Sequence, residues 1–282
     1  MDVIGIDVVI VTKDRYRQLL KCVNHICINS LKPKNLIIVD SSKSFNRKVS
    51  NEISILAKEV GIKLRYNKIP DKGVGYSRNL GLRNVESSYF AFIDDDEYVP
   101  KFWLDRVSKL FSSKKDIQVF AGPKIPGDNK NYWHRVMRSL VEHEFNYVGN
   151  VDSIPSGNSI YLTSFIKRHR LNFDERFRQC SEDQAFSYEL RKLKTNIFFD
   201  KSIWVKHDLR RELTSFVKQW FYYGVNKLLY QRLYLGGGNI LTTFPYIGKL
   251  GDISIWPGVA ILNLAFLFGY IYASLKSSFL YD

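Results

Sequence analysis

The sequence predicts an α/β domain with a mostly parallel sheet flanked by helices. Short apolar segments that fit β-strands alternate with segments in which apolar residues recur at helical spacing. Such alternation is typical of right-handed βαβ crossovers, which produce a parallel sheet. A hydrophobic content of 45% and a charged content of 25% are those of a globular protein. The 282 residues suffice for one large domain with an appendage, or for two domains.

Strands and helices alternate regularly in the first part of the chain. The predicted strands are Asp7–Thr12, Leu36–Asp40, Ile62–Tyr66 and Tyr89–Ile93. The predicted helices are a segment with Leu19, Leu20, Val23 and Ile26 at helical spacing, then Asn51–Val60 and Tyr76–Val85. The last helix follows a glycine-bearing turn that contains Gly73 and Gly75.

Beyond Pro100 the pattern is less regular. We expect a helix over Lys101–Leu110, a strand over Gln118–Gly122 and a loop over residues 123–131. The pattern of Tyr132–Glu144 predicts an amphipathic helix. Its apolar face either packs in the core or forms one wall of a site for an acceptor substrate. The remaining predictions are a short apolar run at Ile160–Leu162, a helix from Ser181 to Leu193, and strands at Ile197–Phe199 and Ile203–Val205.

Polar or acidic residues follow three of the predicted strands. Thr12 and Asp14 follow the first strand, Asp40 closes the second, and an acidic run follows Tyr89–Ile93. In parallel sheets ligands bind beyond the carboxyl ends of the strands. The sequence therefore predicts a binding site at this edge of the sheet.

The acidic run consists of Asp94, Asp95, Asp96 and Glu97. Four adjacent carboxylates repel one another, and a divalent cation that prefers oxygen ligands relieves that repulsion. Asp94 and Asp96 can both reach one ion across the turn. A solvated acidic turn or the first turn of a helix is the alternative, since acids are favoured at helix N-termini.

The net charge of +14 and the three cysteines restrict the setting of the protein. A basic excess attracts polyanions, which include nucleic acid, anionic lipid and nucleotide phosphates. Cys22, Cys27 and Cys180 are odd in number and lack metal-ligand spacing. Because the N-terminus does not read as a signal peptide, we expect reduced thiols in a cytosolic domain.

The C-terminal part of the chain differs from the rest. Residues 204–250 interleave basic and aromatic side chains, and Gly236–Gly238 ends any helix there. Ile253–Leu275 has no charged residue, and as a helix it would be about 34 Å long, enough to cross the hydrocarbon core. We expect a membrane-associated segment. For the apolar part, the alternative is a buried hydrophobic hairpin. For the basic-aromatic part, the alternative to lying at the headgroup level is binding of single-stranded nucleic acid.

The order of these motifs resembles that of family 2 glycosyltransferases, inverting nucleotide-sugar enzymes with the Rossmann-like GT-A fold. The matching segments are Val9–Arg15, Ile37–Asp40, Gly75 with Arg78–Gly81, Asp94–Asp96, Phe173–Phe177, Glu182–Asp183 and His207. Each motif alone is weakly specific, whereas their shared order between residues 5 and 210 is highly specific.

The resemblance implies a role for each matching residue. Asp94 and Asp96 would hold Mn²⁺ or Mg²⁺ against the donor diphosphate, with His207 as a further ligand. Asp183 would be the general base, and Glu182 is the second candidate. The residues expected to bind the nucleotide sugar are Thr12, Asp14, Arg15, Asp40, Arg78, Asp94, Asp95, Gly157 and Asn158.

The resemblance also implies an activity. We expect metal-dependent, inverting transfer of a sugar from a UDP- or GDP-linked donor to a hydroxyl of a lipid-linked or cell-surface glycan. Transfer to a polyprenyl phosphate is the alternative reaction, although an anionic phosphate acceptor needs no base and Asp183 therefore favours a hydroxyl. From a different class, a basic nucleic-acid-binding protein with a hydrophobic tail has the same charge pattern.

The predicted domain organisation has three parts. Residues 1–210 form the catalytic domain, 211–250 a basic-aromatic juxtamembrane segment, and 251–282 a hydrophobic membrane-associated helix and tail. We expect the catalytic domain on the cytoplasmic side of a membrane, with a nucleotide sugar and a glycan or glycolipid as partners and no nucleic acid.

Overall fold

The computed structural model describes residues 5–127, 131–209, 212–238 and 252–276. The strands are β1 Ile6–Thr12, β2 Asn35–Asp40, β3 Lys63–Lys68, β4 Tyr89–Asp94, β5 Glu97–Tyr98, β6 Val119–Ala121, β7 Lys124–Pro126, β8 Val148–Asn150, β9 Ser159–Leu162, β10 Ile197–Asp200 and β11 Val205–His207. The helices are α1 Tyr16–Cys27, α2 Arg47–Glu59, α3 Val74–Arg83, α4 Trp103–Ser113, α5 Tyr132–Val141, α6 Thr163–Arg168, α7 Glu182–Lys192, α8 Leu213–Tyr234 and α9 Trp256–Leu275.

The described residues form a large sheet with the strand order β3-β2-β1-β4-β9-β6-β10-β8. Strands β3, β2, β1 and β4 are mutually parallel, as the alternation of strands and helices predicts. Strand β9 runs antiparallel to both β4 and β6. Because Ser159 pairs with Phe92, the residues just before β9 lie beside the acidic end of β4. The reversal of one strand thus brings residues 156–158 to the predicted site.

The large sheet is covered by helices on both faces. Side chains alternate along a strand, so Val8 and Ile10 of β1 point to one face and Val9 to the other. Helices α1, α2 and α4 cover the first face, and α3, α6 and α7 cover the second. This three-layer arrangement agrees with the near-continuous apolar character of β1 and β2, which are buried on both sides.

Some elements differ from the sequence prediction in extent. Helix α2 begins at Arg47 rather than Asn51, because the side chain of Asn46 accepts a hydrogen bond from the backbone N–H of Val49 and caps the helix. The predicted loop over 123–131 contains strand β7, and a 3₁₀ turn over Glu142–Glu144 ends the predicted helix from Tyr132. Strand β7 has three residues, which are too few to show the alternation of apolar and polar residues that identifies a strand in a sequence.

A small sheet with the order β5-β11-β7 lies next to the acidic run. In it His207 pairs with Glu97 on one side and with Pro126 on the other. The backbone N–H of Asp208 also donates to the carbonyl of Asp96. This sheet therefore joins three segments that are distant in sequence, and it carries His207 to the acidic turn.

Helices α8 and α9 pack against each other and against the rest of the chain. Helix α9 shares an apolar cluster with α8 and with Val136 and Leu140 of α5. Helix α8 also packs on α7 through Tyr230 and Ala185. The 3₁₀ turns Lys201–Ile203 and Ile253–Ile255 precede β11 and α9. The predicted domain boundaries at 210/211 and 250/251 fall outside the described residues and stay predictions.

Candidate active site

The acidic turn between β4 and β5 is the centre of the candidate site. Strand β4 ends at Asp94, and β5 begins at Glu97 three residues later. The side chains of Asp95 and Glu97 are fully buried, whereas those of Asp94 and Asp96 are partly exposed. The turn therefore presents its first and third acids to ligands and buries the other two.

Asp94 lies between two cations. Arg78 Nη2 is 2.9 Å from Asp94 Oδ1, and Lys124 Nζ is 3.0 Å from Asp94 Oδ2. Burial alone would raise the pKa of this carboxyl, but Lys124 and Arg78 outweigh it and hold the pKa at about 2. Asp94 is therefore ionised at neutral pH.

Asp95 has its partners within the protein. The hydroxyl of Thr12 donates to Asp95 Oδ2 at 2.6 Å, and Arg15 Nη2 lies 2.7 Å from Asp95 Oδ1. Burial raises the pKa of Asp95 to about 7 against the opposing effect of Arg15. These contacts link the end of β1 to the acidic turn, and the contact of Thr12, Arg15 and Asp95 with the donor stays a prediction.

Asp96 and His207 lie together at the open side of the turn. His207 Nε2 is 3.5 Å from Asp96 Oδ1, and Arg15 Nη1 is 2.5 Å from Asp96 Oδ2. Burial lowers the pKa of His207, but the Asp96 carboxylate more than compensates and raises it overall. His207 and Arg15 in turn hold the pKa of Asp96 below its usual range despite burial.

Lys124 is a site residue that sequence reasoning missed. Its ammonium lies 2.6 Å from Glu97 Oε1 in addition to its contact with Asp94. Glu97 Oε2 accepts a hydrogen bond of 3.0 Å from the backbone N–H of Asp94, so Glu97 fixes both the turn and the lysine. Lys124 lies in a Pro/Gly-rich stretch with no recognisable motif, and only the pairing of β7 with β11 brings it here.

Gly157 is required by the close approach of the acidic turn. A Cβ at this position would lie 2.4 Å from both Asp94 Oδ2 and Glu97 Oε1 and 2.5 Å from Lys124 Nζ. Asn158 follows with a φ of 53° and a fully buried side chain that donates 2.8 Å to the carbonyl of Ile203. Asn158 thus holds the backbone before β11, and its predicted contact with the donor stays a prediction.

Glu182 and Asp183 form the first turn of α7, where the helix N-terminus favours carboxylates. Glu182 is buried and forms an ion pair with Arg78, and the hydroxyl of Ser156 donates to it at 3.2 Å. Burial raises the pKa of Glu182 to about 7 although Arg78 opposes it. Asp183 is half-buried, accepts from the backbone N–H of Gln184, and has a pKa raised by burial. Of the two acids, Asp183 is the one accessible to a second substrate.

An open pocket of about 550 Å³ lies beyond the ends of β2 and β3. It is lined by Ser41, Ser42, Lys43, Lys68, Ile69, Pro70 and Asp71. Asp40 lies behind it, fully buried, and accepts hydrogen bonds from the hydroxyls of Tyr16 and Tyr66, each at 2.9 Å. Asp14 accepts from the backbone N–H of Lys43 and so ties the β1 loop to the pocket rim. Asp14 and Asp40 shape this pocket, and their contact with a nucleoside stays a prediction.

A family model shows to which protein family this chain belongs. The model described as Glycosyl transferase family 2 matches residues 7–176, which is more than half of the 282 residues. The chain belongs to glycosyl transferase family 2. The matched range contains the acidic turn, Gly157 and Lys124, and it ends before Asp183 and His207.

A curated relative within reach of sequence comparison is longer than this chain. The chain is 27% identical over 164 residues to the teichoic acid poly(glycerol phosphate) polymerase of Staphylococcus epidermidis. The aligned part is 53% of this chain and 21% of that protein, so the chain spans about a fifth of the relative's length.

Solved structures of similar fold bear on the fold class. S. aureus TarS 1–349 in complex with UDP-GlcNAc aligns with a TM-score of 0.60 at 15% identity, over 98% of this chain and 92% of that one. A longer S. aureus TarS chain gives 0.60, with 97% of this chain and 55% of that one covered. The mannosyltransferase PcManGT of Pyrobaculum calidifontis, in complex with GDP-Man and Mn²⁺, gives 0.62 at 10% identity, over 97% and 74%. The predicted GT-A fold is confirmed.

The side chains at this site that could bind a metal ion are acids and one histidine. Among the described residues, no group of three or more His, Cys, Asp or Glu is arranged to hold an ion unaided. Mg²⁺-like ions, however, commonly use one or two protein ligands and complete their shell with phosphates and water. The partly exposed pair of Asp96 and His207 fits that requirement.

The charge of the site also fits a cation. Six acidic side chains lie at or next to three permanent cations. Five of the acids form ion pairs with these cations, and the sixth, Asp183, follows Glu182 in sequence. The cations are Arg15, Arg78 and Lys124, and the paired acids are Asp94, Asp95, Asp96, Glu97 and Glu182. The raised pKa values of Asp95 and Glu182, both about 7, reflect burial and then neighbouring acids. The site thus has more carboxyl groups than permanent cations to pair with them, and a bound cation would favour their ionised forms.

Proposed function

We propose that this chain is an inverting glycosyltransferase that moves a sugar from a nucleotide-sugar donor to an acceptor hydroxyl. The observation that carries the proposal is the half-buried Asp183 in the first turn of α7, next to acids that are held by cations. Membership of glycosyl transferase family 2 supports the reaction class.

The reaction is a single displacement at the anomeric carbon. The acceptor oxygen forms a bond to that carbon while the bond to the donor diphosphate breaks, and the nucleoside diphosphate leaves. Asp183 takes the proton of the acceptor hydroxyl, which it can do because its carboxylate has no cation paired to it in the described structure. A general base of this kind contributes on the order of 10²–10⁴-fold.

The cations of the site support the leaving group and the acids. Arg78 and Lys124 lie on opposite oxygens of Asp94, and Arg15 lies on Asp95 and Asp96. Asp96 and His207, with Asp94 as the next candidate, would hold Mn²⁺ or Mg²⁺. When bound, such an ion neutralises the negative charge of a diphosphate as a Lewis acid.

The donor is a UDP- or GDP-linked sugar. The pocket beyond β2 and β3 is of a size for a nucleoside and lies on the same sheet edge as the acidic turn. Proteins of similar fold have been solved with UDP-GlcNAc and with GDP-Man. These complexes favour a nucleotide-sugar donor without deciding between the two bases.

The acceptor is a hydroxyl of a lipid-linked or cell-surface glycan, and the protein acts at the cytoplasmic side of a membrane. The presence of a base favours a hydroxyl over a polyprenyl phosphate, because a phosphate is already anionic. The apolar helix within Ile253–Leu275 is long enough to engage a bilayer. The similarity to a teichoic acid poly(glycerol phosphate) polymerase agrees with a polymer as the product.

Thermal unfolding of the full chain with nucleotides tests the proposal. UDP or GDP with Mn²⁺ should raise Tm, because a ligand at 100 times its Kd stabilises by about 2.7 kcal/mol. Asp96→Ala should lose the Mn²⁺-dependent part of the shift, measured from its own Tm without ligand, because the change also removes the contacts with Arg15 and His207. Asp116→Ala, an exposed acid far from the turn, is the matched control.

Single-stranded RNA provides the contrasting arm of the same experiment. Stabilisation by RNA together with no nucleotide effect at any Mn²⁺ or Mg²⁺ concentration would overturn the proposal in favour of nucleic-acid binding. A screen of nucleotide sugars for metal-dependent hydrolysis then identifies the donor.

A further inference from the structure

Helix α9 has two apolar faces with different surroundings. One face packs against α8 and α5 and contains Val259, Leu262, Phe266, Tyr270 and Ala273. The other face is exposed and contains Ile261, Leu264, Phe268, Ile271 and Leu275. The exposed residues are spaced by three or four positions, so they form one continuous stripe. Phe268 is 65% exposed and Leu275 81% exposed, which is unusual for side chains of this kind in water.

Close backbone contact fixes α9 on α8. A Cβ at Gly224 would lie 2.0 Å from the carbonyl oxygen of Phe266, and a Cβ at Gly269 would lie 1.9 Å from that of Phe221. The hydroxyl of Tyr270 also donates 2.8 Å to the buried Oε1 of Gln231. The two helices therefore form a unit, and about half of the circumference of α9 is committed to α8.

The partner helix α8 is unsuited to the interior of a bilayer. It carries Lys218, Lys227 and Arg232, and charges at the bilayer centre are costly. It also packs on α7, the helix that holds Asp183 at its N-terminus. If α9 crossed the membrane, it would have to separate from α8 or take α8 into the hydrocarbon.

The charge of this unit complements an anionic surface. In residues 213–238 and 252–276, Lys218, Lys227, Arg232 and Lys276 stand against one acid, Asp252, and Glu212 precedes α8. Arg232 lines a pocket of about 340 Å³ together with Ile271 and Leu275, so a cation lies beside the exposed stripe. Tyr272 and Trp256 are exposed by 42% and 53% near its two ends, as aromatic residues are at lipid interfaces.

We propose that the hairpin of α8 and α9 docks on one leaflet of an anionic bilayer and does not span it. The stripe of Ile261, Leu264, Phe268, Ile271 and Leu275 enters the boundary between headgroups and acyl chains. Arg232 and Lys276, which lie beside Leu275, are then at the level of the phosphates. This inference rests on the membrane attachment in the proposed function and specifies its geometry and lipid class.

One-sided docking has a consequence for the acceptor. Helix α8 contacts α9 on one side and α7 on another, so the position of Asp183 relative to the bilayer is fixed through packed helices. The thiol of Cys180, three residues before Asp183, donates a hydrogen bond of 3.5 Å to the backbone carbonyl of Tyr222 in α8. Docking would therefore fix the distance between this base and the leaflet from which a lipid-linked acceptor hydroxyl would be presented.

Vesicle sedimentation tests the stripe. The full chain should bind phosphatidylcholine vesicles that contain phosphatidylglycerol at least about tenfold more tightly than pure phosphatidylcholine vesicles. Leu264→Gln with Phe268→Gln should weaken binding by at least about tenfold and leave the Tm shift with UDP and Mn²⁺ unchanged. Ile28→Gln with Ile55→Gln, two exposed apolar residues on the catalytic part, is the matched control and should bind as wild type.

Protease protection tests whether α9 spans the bilayer. The full chain with an epitope tag at its C-terminus is expressed in bacteria, and sealed inside-out vesicles are treated with protease. Docking on one leaflet leaves the tag on the same side as the catalytic part, so both are digested. Digestion of the catalytic part with full protection of the tag overturns the inference in favour of a span.

The two proposals fail in distinguishable ways. Equal vesicle binding by the stripe variant and the wild type, or no binding by either, overturns the inference while nucleotide stabilisation leaves the proposed reaction intact. Loss of nucleotide stabilisation with normal vesicle binding overturns the reaction and leaves the docking surface in place.

Discussion

At the scale of single residues, Arg78 connects the two chemical parts of the site. Its guanidinium pairs with Asp94 at the end of β4 and with Glu182 at the start of α7. Arg78 is 4% exposed, Glu182 is buried and Asp94 is partly exposed. One buried cation therefore links the acidic turn to the start of α7.

Arg78→Met should lower the free energy of unfolding. It leaves the buried Glu182 without its cation, whereas Asp94 keeps Lys124. Breaking a buried ion pair in this way costs roughly 3–5 kcal/mol. We expect a clear fall in Tm in thermal denaturation. Arg176→Met removes an exposed ion pair with Asp174 and should cost less than about 1 kcal/mol. A fall in Tm no larger than that of the control would contradict the proposed position of Arg78.

Glu182 and Asp183 are adjacent in sequence but differ in their surroundings. Glu182 is buried and paired with Arg78, whereas Asp183 is half-buried and receives one backbone hydrogen bond. A general base must be reachable by the second substrate, so the structure favours Asp183 for this role and a positioning role for Glu182.

Asp183→Asn should reduce kcat by about 10²–10⁴-fold, since the amide cannot accept the proton. The Kd for nucleotide and the Tm should stay near wild type, because Asp183 contributes no ion pair. Steady-state kinetics and calorimetric titration of UDP measure both quantities. Asp116→Asn is the control, and near-normal turnover in Asp183→Asn would remove this residue from the base role.

The pH dependence of kcat/KM reports the same carboxyl in the free enzyme. Burial raises the pKa of Asp183, and Arg78 opposes this only in part. Because the base acts in its ionised form, kcat/KM falls as the pH drops through that pKa. The acid limb should lie above the ordinary aspartate value of about 3.9. A limb at or below that value, with circular dichroism showing a folded protein, would contradict the assignment.

At the scale of elements, the small sheet of β5, β11 and β7 brings residues from distant segments to the acidic turn. It aligns His207 with Glu97 and brings Lys124 to the acidic turn. His207 was predicted from motif order, whereas Lys124 was not, because a three-residue strand in a Pro/Gly-rich loop has no readable period. Pairing between distant segments is what defines this part of the site.

Helices α8 and α9 depend on two glycines. Gly269→Val would put side-chain atoms against the carbonyl oxygen of Phe221, which a Cβ alone would approach to 1.9 Å. We expect the helices to move apart, with a lower Tm and weaker vesicle binding. Ala260→Val, at an exposed position of the same helix, should leave both unchanged. An unchanged Tm in Gly269→Val would contradict the close crossing.

At the scale of the whole molecule, the C-terminal hairpin is packed on the rest of the chain. Its apolar residues cover Val136 and Leu140 of α5 and Ala185 of α7. The predicted catalytic domain of residues 1–210 therefore has an apolar surface that the hairpin covers in the full chain.

A chain ending at residue 210 should be less stable than the full chain. Removing α8 and α9 exposes the apolar faces of α5 and α7 to water, at about 25 cal/mol for each Å². We expect a lower Tm, binding of a hydrophobic dye and aggregation at lower concentration. The stripe variant Leu264→Gln with Phe268→Gln is the control, because it changes the outer face alone. A truncated chain with the Tm of the full chain would support an independent domain of residues 1–210.

The fold class, most element positions and most of the candidate site can be predicted from the amino-acid sequence alone. Apolar periodicity predicts β1, β2, β4 and α1 because it is a local property of the chain. The acids at the ends of strands mark the site because parallel strands end at one edge. Motif order placed Asp183 and His207 near that edge although they are distant in sequence.

The partners of these residues depend on contacts between distant segments and follow from the folded structure. It pairs Asp94 with Arg78 and Lys124, buries Asp95 and Glu97, and separates the paired Glu182 from the accessible Asp183. It also decided which side of α9 is covered. An all-apolar helix has no sequence period that distinguishes its two faces, so the exposed stripe follows from the crossing with α8 and cannot be read from composition.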